Sequence, residues 1–82
     1  MGAASVLAVI KYYLGESIKA SAIGKVIANS ASEADYIIAK AFIKESTLHK
    51  WGIEKAAGAL KEMGKDDEAG RAEDLVKRSE QE

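Results

Sequence analysis

The chain has 82 residues, enough for one hydrophobic core and too few for two. It has no Cys, no Pro and a single His, which excludes disulfides, thiolate metal sites, Cys nucleophiles and any multi-histidine centre. Twelve Lys and Arg against thirteen Asp and Glu leave a net charge of −1, a poor match for a polyanion such as nucleic acid.

Fifteen Ala and no Pro favour uninterrupted helices, and no stretch alternates apolar and polar residues between Gly or Pro turns as a strand would. The expected fold is all-α: a compact bundle of about five short helices in one domain, residues 1–82. The first helix, 3–14, carries Val6, Ile10, Tyr13 and Leu14 on one stripe with Leu7 on its flank, and Gly15 suits a left-handed C′ position after it. The second, 17–29, aligns Ile18, Ala22 and Val26, with Ile23 and Ile27 alongside; Asn29-Ser30 reads as its end. Its row of small residues, Ala20, Gly24 and Ala28, costs helix propensity at the glycine and is explained by close helix approach.

Ser32-Glu33-Ala34-Asp35 can cap a third helix, 33–45, whose stripe is Ala34, Ile38 and Phe42, with Ile37 and Ala41 alongside. Ser46-Thr47 is a break before the fourth, 47–63, which aligns Leu48, Gly52, Ala56, Ala59, Leu60 and Met63. Gly64 suits another C′ position. Asp66-Asp67-Glu68 then opens a fifth helix, 66–79, acid-first at the positive end of the dipole, with Ala69, Ala72, Leu75 and Val76 as its stripe. Its exposed side carries Asp67–Arg71, Glu73–Lys77 and Asp74–Arg78 at i, i+4, a solvated charged face. If the 14/17 and 45/47 junctions are kinks instead of breaks, three longer helices result.

The two halves differ. Residues 1–44 hold five Lys and three acids (+2) and seventeen large apolar residues. Residues 45–82 hold seven basic and ten acidic residues (−3) and seven large apolar ones. The first half therefore supplies most of the core. The most apolar run, Ala3–Ile10, is far short of the roughly 20 residues that span a bilayer. Met1-Gly2 supplies no basic region for a signal peptide, so the expected location is the cytoplasm.

Few residues could carry chemistry. His49 is the one base titrating near neutrality, and Glu45 stands four residues before it, so the two could share a helix face as an oriented base or half a metal site. Spacing implies no third ligand, and an ordinary surface pair is the expectation. There is no Gly-x-Ser-x-Gly elbow, no phosphate-cradling Gly-x4-Gly-Lys-Ser/Thr and no calcium-loop spacing at Asp66–Gly70. A helix-turn-helix over Ile23–Phe42 would aim Glu33 and Asp35 at phosphates. Trp51, the sole Trp, is expected to cap the chain's own core; anchoring a partner is the alternative.

Gly64 and Ala69, five residues apart after Ala56, Ala57 and Leu60, make Ile53–Val76 resemble one tetratricopeptide helical hairpin. The aromatic positions and closing Pro of that repeat are not matched, and no second copy lies 34 residues upstream. The resemblance implies partner binding, but a solenoid needs about three repeats, and membership is not inferred.

The expected function follows from these absences: a stand-alone helical bundle with no catalytic, cofactor-binding or metal-binding residues, not an enzyme, monomeric, with no nucleic-acid or membrane partner. The lack of Pro and Cys fits a designed origin, although mid-helix glycines and the missing Pro at helix starts depart from idealised design. The alternative is a natural protein–protein interaction module using Trp51 and the fourth and fifth helices. A third reading is an enzyme or metal protein built on Glu45 and His49.

Overall fold

Serine hydroxyls and left-handed residues divide the chain into segments. In the computed structural model, which describes residues 2–81, Ser17 accepts the Ala20 N–H at 3.0 Å, Ser32 accepts the Asp35 N–H at 3.2 Å and Ser46 accepts the Leu48 N–H at 3.1 Å. Each hydroxyl satisfies an amide that a helix start leaves without a partner. At Ser32 the cap is reciprocal, because the Asp35 carboxylate accepts the Ser32 N–H at 3.1 Å. Stops are made by Gly15 (φ +82°), Asn29 (φ +61°) and Gly64 (φ +80°). After Asn29 and Gly64 the chain doubles back to hydrogen-bond the departing helix, Ser30 N–H to Lys25 O and Lys65 N–H to Leu60 O, both at 2.8 Å.

Among the described residues five α-helices result: α1 (Gly2–Leu14), α2 (Ile18–Ile27), α3 (Glu33–Glu45), α4 (Thr47–Glu62) and α5 (Asp66–Gln81). The reading as three longer helices does not hold. Gly15 separates α1 from α2, and Ser46, fully extended at φ −161° and ψ 140°, separates α3 from α4. The Cα radius of gyration, 11.0 Å, is close to the roughly 12 Å of a compact chain this long.

The helices enclose one core. α5 lies against α4, α3 and α2, and α1 lies against α2 and α4. The interior is built from Val6 and Ile10 of α1, Ile23 and Ile27 of α2, and Phe42 and Ile43 of α3. Ile53 and Leu60 of α4 and Leu75 and Val76 of α5 complete it, with alanines between them. α1 seats two leucines over glycines. A Cβ on Gly24 would come within 2.7 Å of Leu7 Cδ2, and one on Gly52 within 2.5 Å of Leu14 Cδ2 and 3.3 Å of the Tyr13 carbonyl oxygen. Close approach is therefore the reason for the glycine in the α2 small-residue row. Gly58 and Gly70 face open space.

The buried faces agree with the expected stripes in α5 and depart from them elsewhere. In α2, Ala20, Ala22, Ile23, Gly24 and Ile27 are buried, while Ile18 is 83 % exposed. In α3 the buried residues are Ala39, Phe42 and Ile43, with Tyr36 and Ile38 packed beside them; Ile37 and Ala34 face solvent. In α4, Ile53 and Ala57 take the places expected for Leu48 and Met63. Tyr13 of α1 is partly exposed. α2 and α3 carry apolar residues around most of their circumference, so local periodicity allowed more than one face, and burial against neighbouring helices chose among them.

Candidate interaction surface

Glu45 and His49 each take another hydrogen-bond partner, and His49 acts on Glu45 only as the smallest of the influences that lower its pKa. The break at Ser46 puts Glu45 at the end of α3 and His49 in the first turn of α4, so the i, i+4 geometry of a continuous helix does not apply. Glu45 instead accepts hydrogen bonds from Lys19 Nζ, at 2.8 Å to Oε2 and 3.2 Å to Oε1, and ties the end of α3 to the start of α2. The Lys19 hydrogen bond holds the Glu45 carboxyl below the usual carboxylate range. His49 lies flat on Phe42, ring centroids 3.8 Å apart and planes 6° from parallel, and its Nδ1 is 2.7 Å from the Phe42 carbonyl oxygen. Since a carbonyl only accepts, Nδ1 carries the hydrogen. Phe42 is one of the four residues whose carbonyls α3 leaves unpaired at its end, so His49 closes α3 from across the break. Among the described residues no group of three or more His, Cys, Asp or Glu could hold a metal ion.

A concavity of about 360 Å³ lies between the α2–α3 turn and α5 and contains both arginines of the chain, with Tyr36, Glu33 and Asp74. Both arginines are engaged within the chain. Arg71 Nε donates to the Ile27 carbonyl oxygen at 2.7 Å, at the negative end of α2, with its Nη2 3.9 Å from Glu68. The expected Asp67–Arg71 pairing is thereby replaced. Arg78 pairs with Asp74 at 2.9 Å, as the spacing predicted, and reaches the Tyr36 hydroxyl at 3.4 Å. Two acids offset the two arginines, and the cleft carries no excess charge to attract an anion. At the far end of α5, Lys50 is hydrogen-bonded to Glu80, which raises the Lys50 pKa above its usual value.

Trp51 corrects the expectation that it caps the core. It is 56 % exposed, and Leu48, one turn before it, is 71 % exposed. The buried arc of α4 is Gly52, Ile53, Ala56, Ala57 and Leu60. At about 100° per residue, Trp51 stands roughly opposite Leu60 and Ile53, on the outward side of the helix. A second apolar feature lies between α1 and α4: a hollow of about 340 Å³ lined by Ala8, Val9, Tyr12, Tyr13, Ala59 and Met63. Tyr12 is 82 % exposed at its rim. The sequence stripes placed Tyr13 and Met63 on the core side of their helices and gave Tyr12 no role. The available signal was that α1 has one charged residue, Lys11, and so little polar surface to turn outward.

Among the described residues no helix is long and apolar enough to cross a membrane. Compared with known proteins, the chain matches no family model, no curated protein and no solved structure. The likeness to a tetratricopeptide unit is local, a tight α4–Gly64–α5 hairpin with Ala69 buried five residues after the glycine.

Proposed function

We propose that the chain is a binding module and not an enzyme: a five-helix scaffold that offers the outward face of α4, with Leu48 and Trp51, to a partner protein. The observation that carries this reading is the exposure of the only Trp on the side of α4 opposite the core. Trp is enriched at the energetic centres of interfaces, and an indole left in water forgoes burial that the core would reward. The lack of catalytic geometry supports the same reading, since His49 is committed to the Phe42 carbonyl and ring and Glu45 to Lys19. A cytoplasmic setting fits a chain without cysteine.

The stand-alone designed fold is the second reading. It is favoured by a well-satisfied interior: among the described residues no buried side-chain polar atom lacks a hydrogen-bond partner. It is disfavoured by Gly58 and Gly70, mid-helix in open space, and by exposed Ile18 and Ile37, which idealised sequences avoid.

Trp51→Ala separates the two roles of this side chain. The binding reading expects unfolding free energy within about 0.5 kcal/mol of the parent, as for a surface site. It also expects amide shifts around residues 48–55 when the labelled protein is mixed with cell extract, and their disappearance in the variant. A loss of about 3 kcal/mol or more would make Trp51 structural and overturn the proposal.

A further inference from the structure

Asn29 is the only asparagine of the chain, and Ser30 follows it. It is exposed, its φ is +61°, and its carboxamide makes no hydrogen bond with another described residue. At the stops after α1 and α4 glycine takes the left-handed position and brings no side chain. After α2 the same position carries a reactive amide. The reaction open to an Asn before a small residue is ring closure, in which the next main-chain nitrogen attacks the side-chain carbonyl carbon. Here that nitrogen is Ser30 N, and its N–H donates to the Lys25 carbonyl oxygen at 2.8 Å.

We infer that Asn29 is a site of self-modification, deamidation through a succinimide, and that the Ser30-to-Lys25 hydrogen bond holds the reaction off in the folded chain. When that bond opens, Ser30 N gives its proton to solvent and bonds to Cγ of Asn29. The Cγ–Nδ2 bond breaks, and Nδ2 leaves as ammonia with a proton from water. Water then opens the ring. Cleavage of the new Cγ–N bond leaves an aspartate at position 29. Cleavage at the main-chain carbonyl carbon leaves an isoaspartate, with the chain running through Cγ. Water is the only co-reactant and ammonia the only leaving group.

The folded turn opposes the first step. Ser30 N attacks only after losing its proton, and Lys25 holds that proton. The bond also belongs to the α2 stop, together with Asn29 N–H to Val26 O at 3.1 Å, so opening it unwinds the end of the helix. Arg71 of α5 ties down the same end through the Ile27 carbonyl oxygen. Helix ends open more readily than cores, so local opening, and not global unfolding, sets the rate. Asn29 lines the cleft that holds Arg71, Arg78, Glu33 and Asp74, and either product adds a carboxylate where the charges otherwise balance. The isoaspartate also lengthens the main chain by one carbon, which takes Ser30 N–H out of register with Lys25.

The test is incubation of the full-length chain in mildly alkaline buffer, with and without urea, followed by intact mass and released ammonia. The mass should rise by the difference between an amide NH2 and a hydroxyl. The folded chain should react roughly tenfold or more slowly, the factor that one hydrogen bond's net strength sets. That factor should equal the hydrogen-exchange protection of the Ser30 amide, since both reactions need the same bond open. Arg71→Ala should speed the reaction in native buffer and not in urea, with protection lost at Ser30 and kept at Ile53 and Leu60. Asn29→Gly, which adopts φ +61° freely, should show no mass gain.

Equal rates with and without urea would remove the protective role of the turn. A mass gain that survives in Asn29→Gly would move the chemistry to Gln81, the one other side-chain amide, and overturn the site. A native rate that follows protection at Ile53 and Leu60 in place of Ser30 would overturn local opening, and an unchanged native rate in Arg71→Ala would overturn the part assigned to α5.

Discussion

In α5 the apolar residues are few, and Ala69, Ala72, Leu75 and Val76 are all buried; in α2 they are many, and Ile18 is 83 % exposed. Hydrophobic periodicity settles the buried face of one helix and not of the other. A helix with charges on all sides but one has a single arrangement that hides its apolar atoms and hydrates its charges. A helix whose apolar residues run round most of its surface has several, and neighbouring helices choose among them. α2 turns Ile23 and Ile27 inward because its small residues, Ala20 and Gly24, let α1 approach on the adjoining side, with Leu7 seated over Gly24.

The largest expected effect lies in the apolar-rich half. Phe42 is buried and its ring carries His49, so Phe42→Ala removes core volume and unseats the side chain that closes α3. A loss of about 3–5 kcal/mol is expected in denaturant titration, most of the stability available to a chain this small. A variant melting like the parent would show that the α3–α4 junction is held by something else.

The contrast within α2 comes next. Ile23→Ala should cost about 2–5 kcal/mol, and Ile18→Ala, five residues earlier on the same helix, less than about 0.5 kcal/mol. Leu75→Ala in α5 should match Ile23→Ala. Similar costs at Ile18 and Ile23 would break the assignment of the α2 face.

Glycine substitutions act at about 1 kcal/mol. Gly64→Ala, at φ +80°, should destabilise by about that amount, whereas Gly70→Ala, mid-helix in open space, should stabilise by up to the same amount. Gly52→Ala should also destabilise, because a backbone carbonyl as well as Leu14 stands in the way. Thermal melts of the three variants give the signs, and a stabilised Gly64→Ala would refute the α4 stop.

The smallest effect is electrostatic. The backbone N–H of Ser32, and then its hydroxyl, hold the Asp35 carboxyl below its usual value of 3.8. A carboxylate depressed in the folded state stabilises the fold above its unfolded pKa, and that contribution disappears as pH falls through the folded value. The destabilisation caused by Asp35→Ala should therefore be present at neutral pH and shrink in acid, as pH falls below 3.8 and through the folded value. An equal effect at neutral and acid pH would mean that the capping carboxylate contributes nothing as an ion.

Helix number, type and ends were legible in the sequence because they depend on neighbours in the chain. Ser32 with Asp35, Gly15 and Gly64 act over three to five residues, and the five helices follow the expected bounds to within two residues. The α5 face was legible because its residues allow only one. The candidate surface was not. Glu45 and His49 were related by a helical spacing that the single extended residue Ser46 interrupts, and Lys19, the partner Glu45 takes, is 26 residues away. Trp51 was expected inside because large apolar side chains gain most from burial. It is outside because Ile53, Ala56, Ala57 and Leu60 already fill the inner arc of α4 and α1 covers Gly52. Local sequence thus determined where each helix begins and ends, through hydrogen bonds and dihedral preferences confined to a turn or two. Which side of α2, α3 and α4 faces inward, and so which aromatic residues are left exposed, was decided by packing among helices distant in sequence, where limited core volume forces side chains of similar hydrophobicity to compete for the same interior.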